Sequence, residues 1–337
     1  MKVTIYDVAK KAGVSISTAS KALNDRKDVG DSTKKRVREI AKELNYEPSH
    51  FARALAMRKT ENIGVITARY YNTPMLTNPF YSKILEGIEE ELINSNLNLV
   101  TNVLRRDQVE NLEIPKMVKE KSVDGIIILG FMPQEFVDMV AEKSLPVVMI
   151  DNHSKNGSLS TVVIDDVDGA RMAVAHLIKA GHRKIAYMSG PSKRQSFKRR
   201  EEGFRKAMKE GGVEVDERFV IFNEAEEQGY GWMKKILSFA EKPDAVFLCN
   251  DVNAILAINM FKEAGLKVPD DISIIGFDNI DLGEHFIPSI STVDINKEMM
   301  GMKAAQLLLD YINKSKTGVE NISFPATLVI RDSVKER

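Results

Sequence analysis

The chain predicts two structural classes in series: an all-α helix-turn-helix head, then an α/β core of two doubly wound lobes. Three observations predict this. Apolar residues in the first 45 positions recur at helical spacing, with a glycine between two short runs. From Ile63 onward, Val/Ile-rich runs alternate with amphipathic stretches, as expected when helices cover both faces of a parallel sheet. The charge is also divided. Residues 1–60 carry 14 basic and 7 acidic side chains, whereas the rest of the chain carries 34 and 41. A neutral total hides a basic head on an acidic body, an asymmetry suited to phosphate backbones.

In the head, Ile5, Val8, Ala9 and Ala12 fall at i, i+3, i+4 and i+7 and line one helical face. Thr4 stands before this run with Asp7 three positions on, a capping-box spacing. Gly13 permits a sharp turn. Ser15 can cap a second helix whose Ala19, Ala22 and Leu23 point inward, which leaves Ile16, Ser17, Ser20 and Lys21 facing out. Short side chains around one basic group suit a helix that enters a major groove. A third helix follows, capped by Asp31 or Ser32, with Val37, Ile40, Ala41 and Leu44 as its buried stripe and Lys34, Lys35, Arg36 and Arg38 in its first turns. A three-helix bundle that binds another protein is the competing reading, and the charge division favours nucleic acid over it.

Pro48 ends the third helix. Residues 49–58 then predict a helix of under three turns, which is marginal alone in water. A partner helix or DNA must order it, and Leu55 and Met57 are odd choices for a solvated linker.

Strand-like runs in the core are 63–67, 97–103, 125–130, 146–151, 161–165, 184–189, 219–222, 245–250, 272–278 and 290–294. Helical runs between them include 79–94, 166–180, 198–209, 228–240 and 252–264. This is too much for one sheet. The predicted divisions are a head over 1–46, a hinge helix and linker over 47–61, and a core over 62–337. Within the core, the first lobe takes about 62–159 and 290–320, and the second about 160–289 and 321–334. A cleft is expected between the lobes at the strand C-terminal ends.

Composition is that of an ordinary globular protein, with 43% hydrophobic and 28% charged residues. No apolar run of signal-peptide or membrane-spanning length is present, so a cytoplasmic location is expected. The single cysteine, Cys249, lies in an apolar strand and reads as a quiet core thiol. The five histidines are scattered without metal-ligand spacing. P-loop, Gly-x-Ser-x-Gly and His-Glu-x-x-His motifs are absent. No enzyme activity, cofactor or metal is expected.

Polar residues close several strands: Asp151 after Val147–Ile150, Asn250-Asp251 after 246–249, and Asp278-Asn279 after 274–277. Carboxylates and amides there suit bidentate hydrogen bonds to sugar hydroxyls. Taken singly, each is more simply a helix or turn cap. Three on separate strands point to a ligand. One member of the cluster Arg194-Gln195-Ser196-Phe197-Lys198-Arg199-Arg200 can reach the cleft. Asn78-Pro79-Phe80-Tyr81 opens the first long helix, where its aromatics either stack on a sugar or staple the helix start.

The run Thr4-Ile5-Tyr6-Asp7-Val8-Ala9, the run Val14-Ser15-Ile16-Ser17-Thr18-Ala19-Ser20, and Glu43-Leu44-Asn45-Tyr46-Glu47-Pro48 carry a resemblance. Weaker landmarks are Asp124-Gly125-Ile126, Gly181-His182-Arg183-Lys184-Ile185, Asn250-Asp251 and Ile275-Gly276-Phe277-Asp278-Asn279. Over nearly its whole length, the chain resembles the lactose/galactose-repressor family of bacterial transcription regulators. The core then resembles periplasmic sugar-binding proteins. The resemblance implies a homodimer, sometimes a tetramer, on a pseudo-palindromic double-stranded operator. Base-reading positions fall on Ile16, Ser17 and Lys21. Other DNA-facing positions fall on Thr4, Ser15, Thr18, Ser20 and Asn24 and, in the hinge, on His50, Ala52, Leu55 and Ala56, with Leu55 the minor-groove wedge. Effector-binding positions fall on Phe80, Asp151, Arg200, Asn250 and Asp278.

Three departures matter. Segment 69–77 is longer than in many members. Glu224 stands near where some members place a stacking aromatic, which argues against a purine corepressor. No leucine-heptad tail follows the last strand before Arg337, which favours a dimer.

The expected function is a repressor whose operator binding answers to a sugar or sugar-derived effector. The alternative is a carbon-catabolite-type global regulator controlled by a protein partner. A plain solute-binding protein lacks a reason for the basic head.

Overall fold

A computed structural model of the chain describes residues 3–46, 59–69, 75–154, 156–223 and 230–337. The expected helix over 49–58, with His50, Ala52, Leu55 and Ala56, lies outside the described residues, as does Glu224. The chain forms two compact units, one within residues 1–62 and 121–124 and the other over the remainder.

The first unit contains α1 (Ile5–Ala12), α2 (Ile16–Leu23) and α3 (Asp31–Glu43). Val8, Ala9, Ala12, Ala19, Ala22, Val29, Val37 and Ala41 make its core, and the many alanines let the three helices approach closely. Asp7 Oδ2 accepts from the Thr4 N–H at 2.9 Å and from its hydroxyl at 2.7 Å. Gly13 ends α1 at φ 62°, the left-handed conformation that glycine adopts without strain. Ser15 Oγ accepts from the Thr18 N–H at 3.0 Å and caps α2. Two local expectations fail at α3. Gly30 occupies its N-cap without a side-chain bond, and Asp31 is already helical. The helix ends at Glu43, well before Pro48, because Asn45 turns left-handed at φ 49°. Asparagine tolerates that conformation, so it terminates the helix before proline can.

In the second unit, β1 (Asn62–Arg69), α4 (Pro79–Asn94), β2 (Asn98–Arg105), α5 (Arg106–Glu110), α6 (Lys116–Lys119), β3 (Gly125–Leu129), α7 (Gln134–Ala141), β4 (Val147–Ile150) and β5 (Ser160–Ile164) come first. Then follow α8 (Asp166–Lys179), β6 (Ile185–Ser189), α9 (Gln195–Glu210), β7 (Val220–Phe222), α10 (Tyr230–Ser238), β8 (Ala245–Leu248), α11 (Asp251–Glu263), β9 (Ser273–Ile275) and α12 (Asp281–His285). The chain continues through β10 (Thr292–Asp294), α13 (Lys297–Ile312), β11 (Asn321–Phe324) and β12 (Thr327–Val329).

Two sheets define two lobes. The first has order β11-β5-β4-β3-β1-β2 and the second β7-β6-β8-β9, while β10 and β12 form an antiparallel ribbon. The expected lobe boundaries need correction at 160 and 321. β5 pairs in parallel with β4 (Ile150↔Val162), and β11 pairs with β5 (Ile322↔Val162), so both strands belong to the first sheet. Every residue of β5 is buried, as a strand flanked on both sides requires. The chain therefore changes lobes at Asp165, not at Ser160.

Each lobe carries a tightly packed helix pair. In the first, a Cβ added at Gly301 of α13 would lie 2.0 Å from the Ile84 carbonyl oxygen of α4. In the second, one added at Gly203 of α9 would lie 2.2 Å from the Val167 carbonyl oxygen of α8. Backbone contacts backbone at both places, which fixes α4 and α9. These two helices, with the residues Asn78 and Arg194 that precede them, supply seven of the ten residues that line one cavity of the core.

Candidate functional site

On the head, Ile16, Ser17 and Lys21 stand exposed on α2, with Ser15 exposed at its start. Thr18, Ser20 and Asn24 are half-buried, and Thr4 is exposed before α1. Asn24 donates to the Ser20 carbonyl at 2.9 Å and closes the helix. Lys21 is the single charged residue of α2, and its Nζ lies 2.5 Å from Asp28 Oδ2. The same loop holds Asp25, which accepts from Arg38 at 2.7 Å and pairs with Lys34 at 3.3 Å.

In the core, Phe80, Asp151, Arg200, Asn250 and Asp278 all line one cavity, together with Asn78, Tyr81, Arg194, Ser196 and Phe197. First-lobe residues come from the start of α4 and the end of β4. Second-lobe residues come from the start of α9 and the ends of β8 and β9. Asn78 caps α4 by accepting from the Phe80 N–H at 3.0 Å, and the Phe80 and Tyr81 rings meet edge to face at 4.9 Å.

Two charge systems meet in this space. Tyr81 Oη donates to Asp151 Oδ2 at 2.6 Å and accepts from Arg194 Nη2 at 2.7 Å, while Arg194 also reaches Asp151 at 3.2 Å. Arg194 is thus a bridge from the second lobe to the first. Its guanidinium also lies 4.5 Å over the Phe197 ring. Arg200, behind it, donates to Asp166 at 2.8 Å and to the Cys249 carbonyl, and sits 3.7 Å over the Phe277 ring. It lies 3.6 Å from Asp278 Oδ1, an ion pair beyond hydrogen-bond reach. That oxygen is buried and has no hydrogen-bond partner among the described residues. Burial pushes the Asp278 carboxyl up to about 8, against the lowering effect of Arg200. Burial likewise pushes Asp166 up to about 6.

Asp151 and Asp278 share an unusual backbone, with φ 53° and 106°. For Asp278 the conformation is held by Lys297, whose buried Nζ donates to the Asp278 carbonyl at 2.7 Å and to that of Ile295 at 3.2 Å. Strain of this kind is kept where side-chain direction matters.

Asn250 both lines the cavity and caps α11, accepting from the Asn253 N–H at 2.9 Å. Asp251, by contrast, does not line it. Its carboxylate accepts from Thr292 Oγ1 at 2.6 Å and the Ile280 N–H at 3.0 Å, fastening the crossover beside β10. Spacing alone singled out neither the Tyr81 hydroxyl nor Arg194. Each depends on the two lobes facing each other, although both lie in runs that the sequence marks.

Among the described residues no helix is long and apolar enough to cross a membrane. Comparison with known proteins gives a consistent result. The profile described as bacterial regulatory proteins, lacI family, matches residues 4–49, and that of a periplasmic binding protein-like domain matches 174–334. The HTH-type transcriptional repressor PurR of Photobacterium profundum is 33% identical over 336 residues, 99% of each chain. PurR of Pasteurella multocida is 36% identical over 337 residues, again 99% of each. Among solved structures, a transcriptional regulator CelR–cellobiose complex matches with TM-score 0.75 and 28% identity, over 98% of this chain and 99% of that one. The lac repressor dimer bound to operator and the anti-inducer ONPF matches with TM-score 0.81 and 26% identity, over 99% and 100%.

Proposed function

Because the chain belongs to the lacI family of bacterial regulatory proteins and is a helix-turn-helix transcriptional repressor, not an enzyme, we propose that a sugar in the cavity between its lobes controls its operator binding. The observation that carries the proposal is the composition of the cavity. Asp151, Asp278 and Asn250 offer acceptors, Arg194 and Arg200 offer donors, and Phe80 and Phe197 offer ring faces. Sugar hydroxyls both donate and accept, so one ligand satisfies both signs, including Asp278 Oδ1, which has no hydrogen-bond partner among the described residues. The solved relative holding cellobiose supports the same ligand class.

The cavity as it stands measures about 30 Å³, space for about one water. A pyranose enters only when the Arg194 bridge to Asp151 and Tyr81 opens, so binding and lobe arrangement are coupled. The protein acts as a cytoplasmic homodimer on a pseudo-palindromic operator, with Ile16, Ser17 and Lys21 of each head at base edges. Bound sugar lowers operator affinity, and operator lowers sugar affinity by the same factor.

A thermal-shift screen with cellobiose, ribose, galactose, hypoxanthine and guanine tests the ligand class. A ligand at 100 times its dissociation constant adds about 2.7 kcal/mol. Stabilisation by a sugar that is lost in Arg200→Ala supports the proposal. Stabilisation by the purine bases alone rejects it.

A further inference from the structure

We propose that Asp28 masks Lys21 in the free head, so that the repressor's sequence-independent DNA binding is suppressed and the margin between operator and random DNA widens. The proposal rests on the reading that α2 faces DNA. Lys21 is the single charged side chain of that helix, and its partner lies in the loop that joins α2 to α3. Lys21 Nζ lies 2.5 Å from Asp28 Oδ2, with side-chain exposures of 49% and 56%. Asp25, in the same loop, holds Arg38 and Lys34. Acids of one loop thus engage three cations of a head whose excess charge is basic.

The physical consequence differs between two kinds of DNA. On random sequence, attraction comes from cations that displace condensed counterions from phosphates. A lysine already matched to a carboxylate adds little to that exchange, because the negative charge of Asp28 lies beside it. On operator, a guanine O6/N7 edge offers Lys21 a new acceptor in the groove. An exposed ion pair is weak in water, so a base edge can replace Asp28. The pair therefore subtracts from binding everywhere and is relieved only where the right base is present. This makes Asp28 a specificity-determining residue that need not touch a base, a negative element of the kind selective binders use.

The experiment uses the full chain and a random-sequence duplex, with dissociation constants from fluorescence anisotropy at 50–200 mM salt, the range over which phosphate contacts show. Asp28→Asn is expected to tighten random-DNA binding about threefold to tenfold and to steepen log K against log salt by about 0.9 per head. Asp28→Ser should behave alike, which separates loss of charge from any effect of the amide. Lys21→Met should change random-DNA affinity by less than about twofold in the wild-type background, yet remove the gain in Asp28→Asn. Equal losses from Lys21→Met in both backgrounds overturn the proposal, as does unchanged affinity in Asp28→Asn. Lys35→Ala is the control, since Lys35 is outside the pair and should weaken random-DNA binding in any background. No effect from Lys35→Ala would instead overturn the placement of the head on DNA, on which the proposal rests.

Discussion

Charged pairs occur in both compact units, under opposite conditions. On the head, Lys21 and Asp28 meet with about half of each side chain in water, at exposures of 49% and 56%. Beside the cavity, Arg200, which lines it, meets Asp166 with 4% and 2% of the side chains exposed. The first pair is screened by salt and exchanges partners cheaply, which suits a surface that must trade a carboxylate for DNA. The second was desolvated on folding, so removing either partner strands a buried charge. Recognition on the head is therefore tuned by exchange among solvated groups. Recognition in the cavity is fixed by groups that cannot be changed singly without loss of stability.

The largest effect should come from breaking the buried side. Arg200→Ala leaves Asp166 and Asp278 without their shared cation and should cost about 3–5 kcal/mol in denaturant unfolding of the core, with effector affinity lost by well over tenfold. Operator binding without effector should survive while the core stays folded. A loss close to that of an exposed pair would abolish the contrast between the two regions.

A pH series sharpens the same contrast. The Asp278 carboxyl is raised from 3.8 to about 8 by burial, so the folded state holds its proton more tightly than the unfolded chain does. Stability from this source is fully present below pH 3.8 and falls as pH rises through about 8, where the carboxylate must be held charged. Asp251, raised to about 7, and Asp166, raised to about 6, act in the same direction. Unfolding free energy of the wild type should therefore decline between about pH 5 and 8.5, and Asp278→Asn should decline less. Identical slopes would mean that Asp278 titrates normally and that water reaches its carboxylate in the folded protein. No such decline is expected from the head, where Asp25 and Asp28 are held below the ordinary carboxylate value by their lysine and arginine partners.

Next in size is Lys21→Ala, expected to cost about 1–3 kcal/mol at the operator and to relax preference at one base pair per half-site. Lys35→Ala should weaken all sequences alike. Competition of each variant between operator and random duplex separates the two. Equal losses of Lys21→Ala on both would move Lys21 to the phosphate class.

The head was more legible in the sequence than the cavity, for a physical reason. Ile16, Ser17 and Lys21 face outward because of their spacing along eight consecutive residues, a local property. Asp151 and Asp278 are visible as strand-closing carboxylates, each more simply a cap when taken singly, because polar residues close several separate strands of the core. Arg194 is not, because its partners Tyr81 and Asp151 lie 113 and 43 residues away. The 160 and 321 boundaries failed for a related reason. An apolar run such as Ser160–Ile164 states that a strand is buried, not which sheet buries it. Expecting Pro48 to end α3 misses a local signal, since Asn45 in the left-handed conformation stops a helix as well as proline does, and α3 ends at Glu43.

The smallest expected effect concerns Ser15, which lies at the border between the two kinds of role. Its hydroxyl oxygen accepts from the Thr18 N–H at 3.0 Å and lies 2.8 Å from Thr18 Oγ1, so it already serves as the N-cap of α2. It is also among the exposed positions expected to face DNA. As a cap, Ser15→Ala should cost about 1 kcal/mol of head stability, seen as faster amide hydrogen exchange at Thr18 and Ala19. Core unfolding should stay unchanged, because the head is a separate compact unit. Operator affinity should then fall only as far as the folded fraction of heads falls, at most about fivefold for 1 kcal/mol, and by the same factor on random DNA. If exchange in α2 is unaltered while operator affinity alone falls, the hydroxyl acts on DNA and the cap is redundant. The head would then contain a group dedicated to its ligand, like those of the cavity, and the contrast between the regions would have to be redrawn around Ser15.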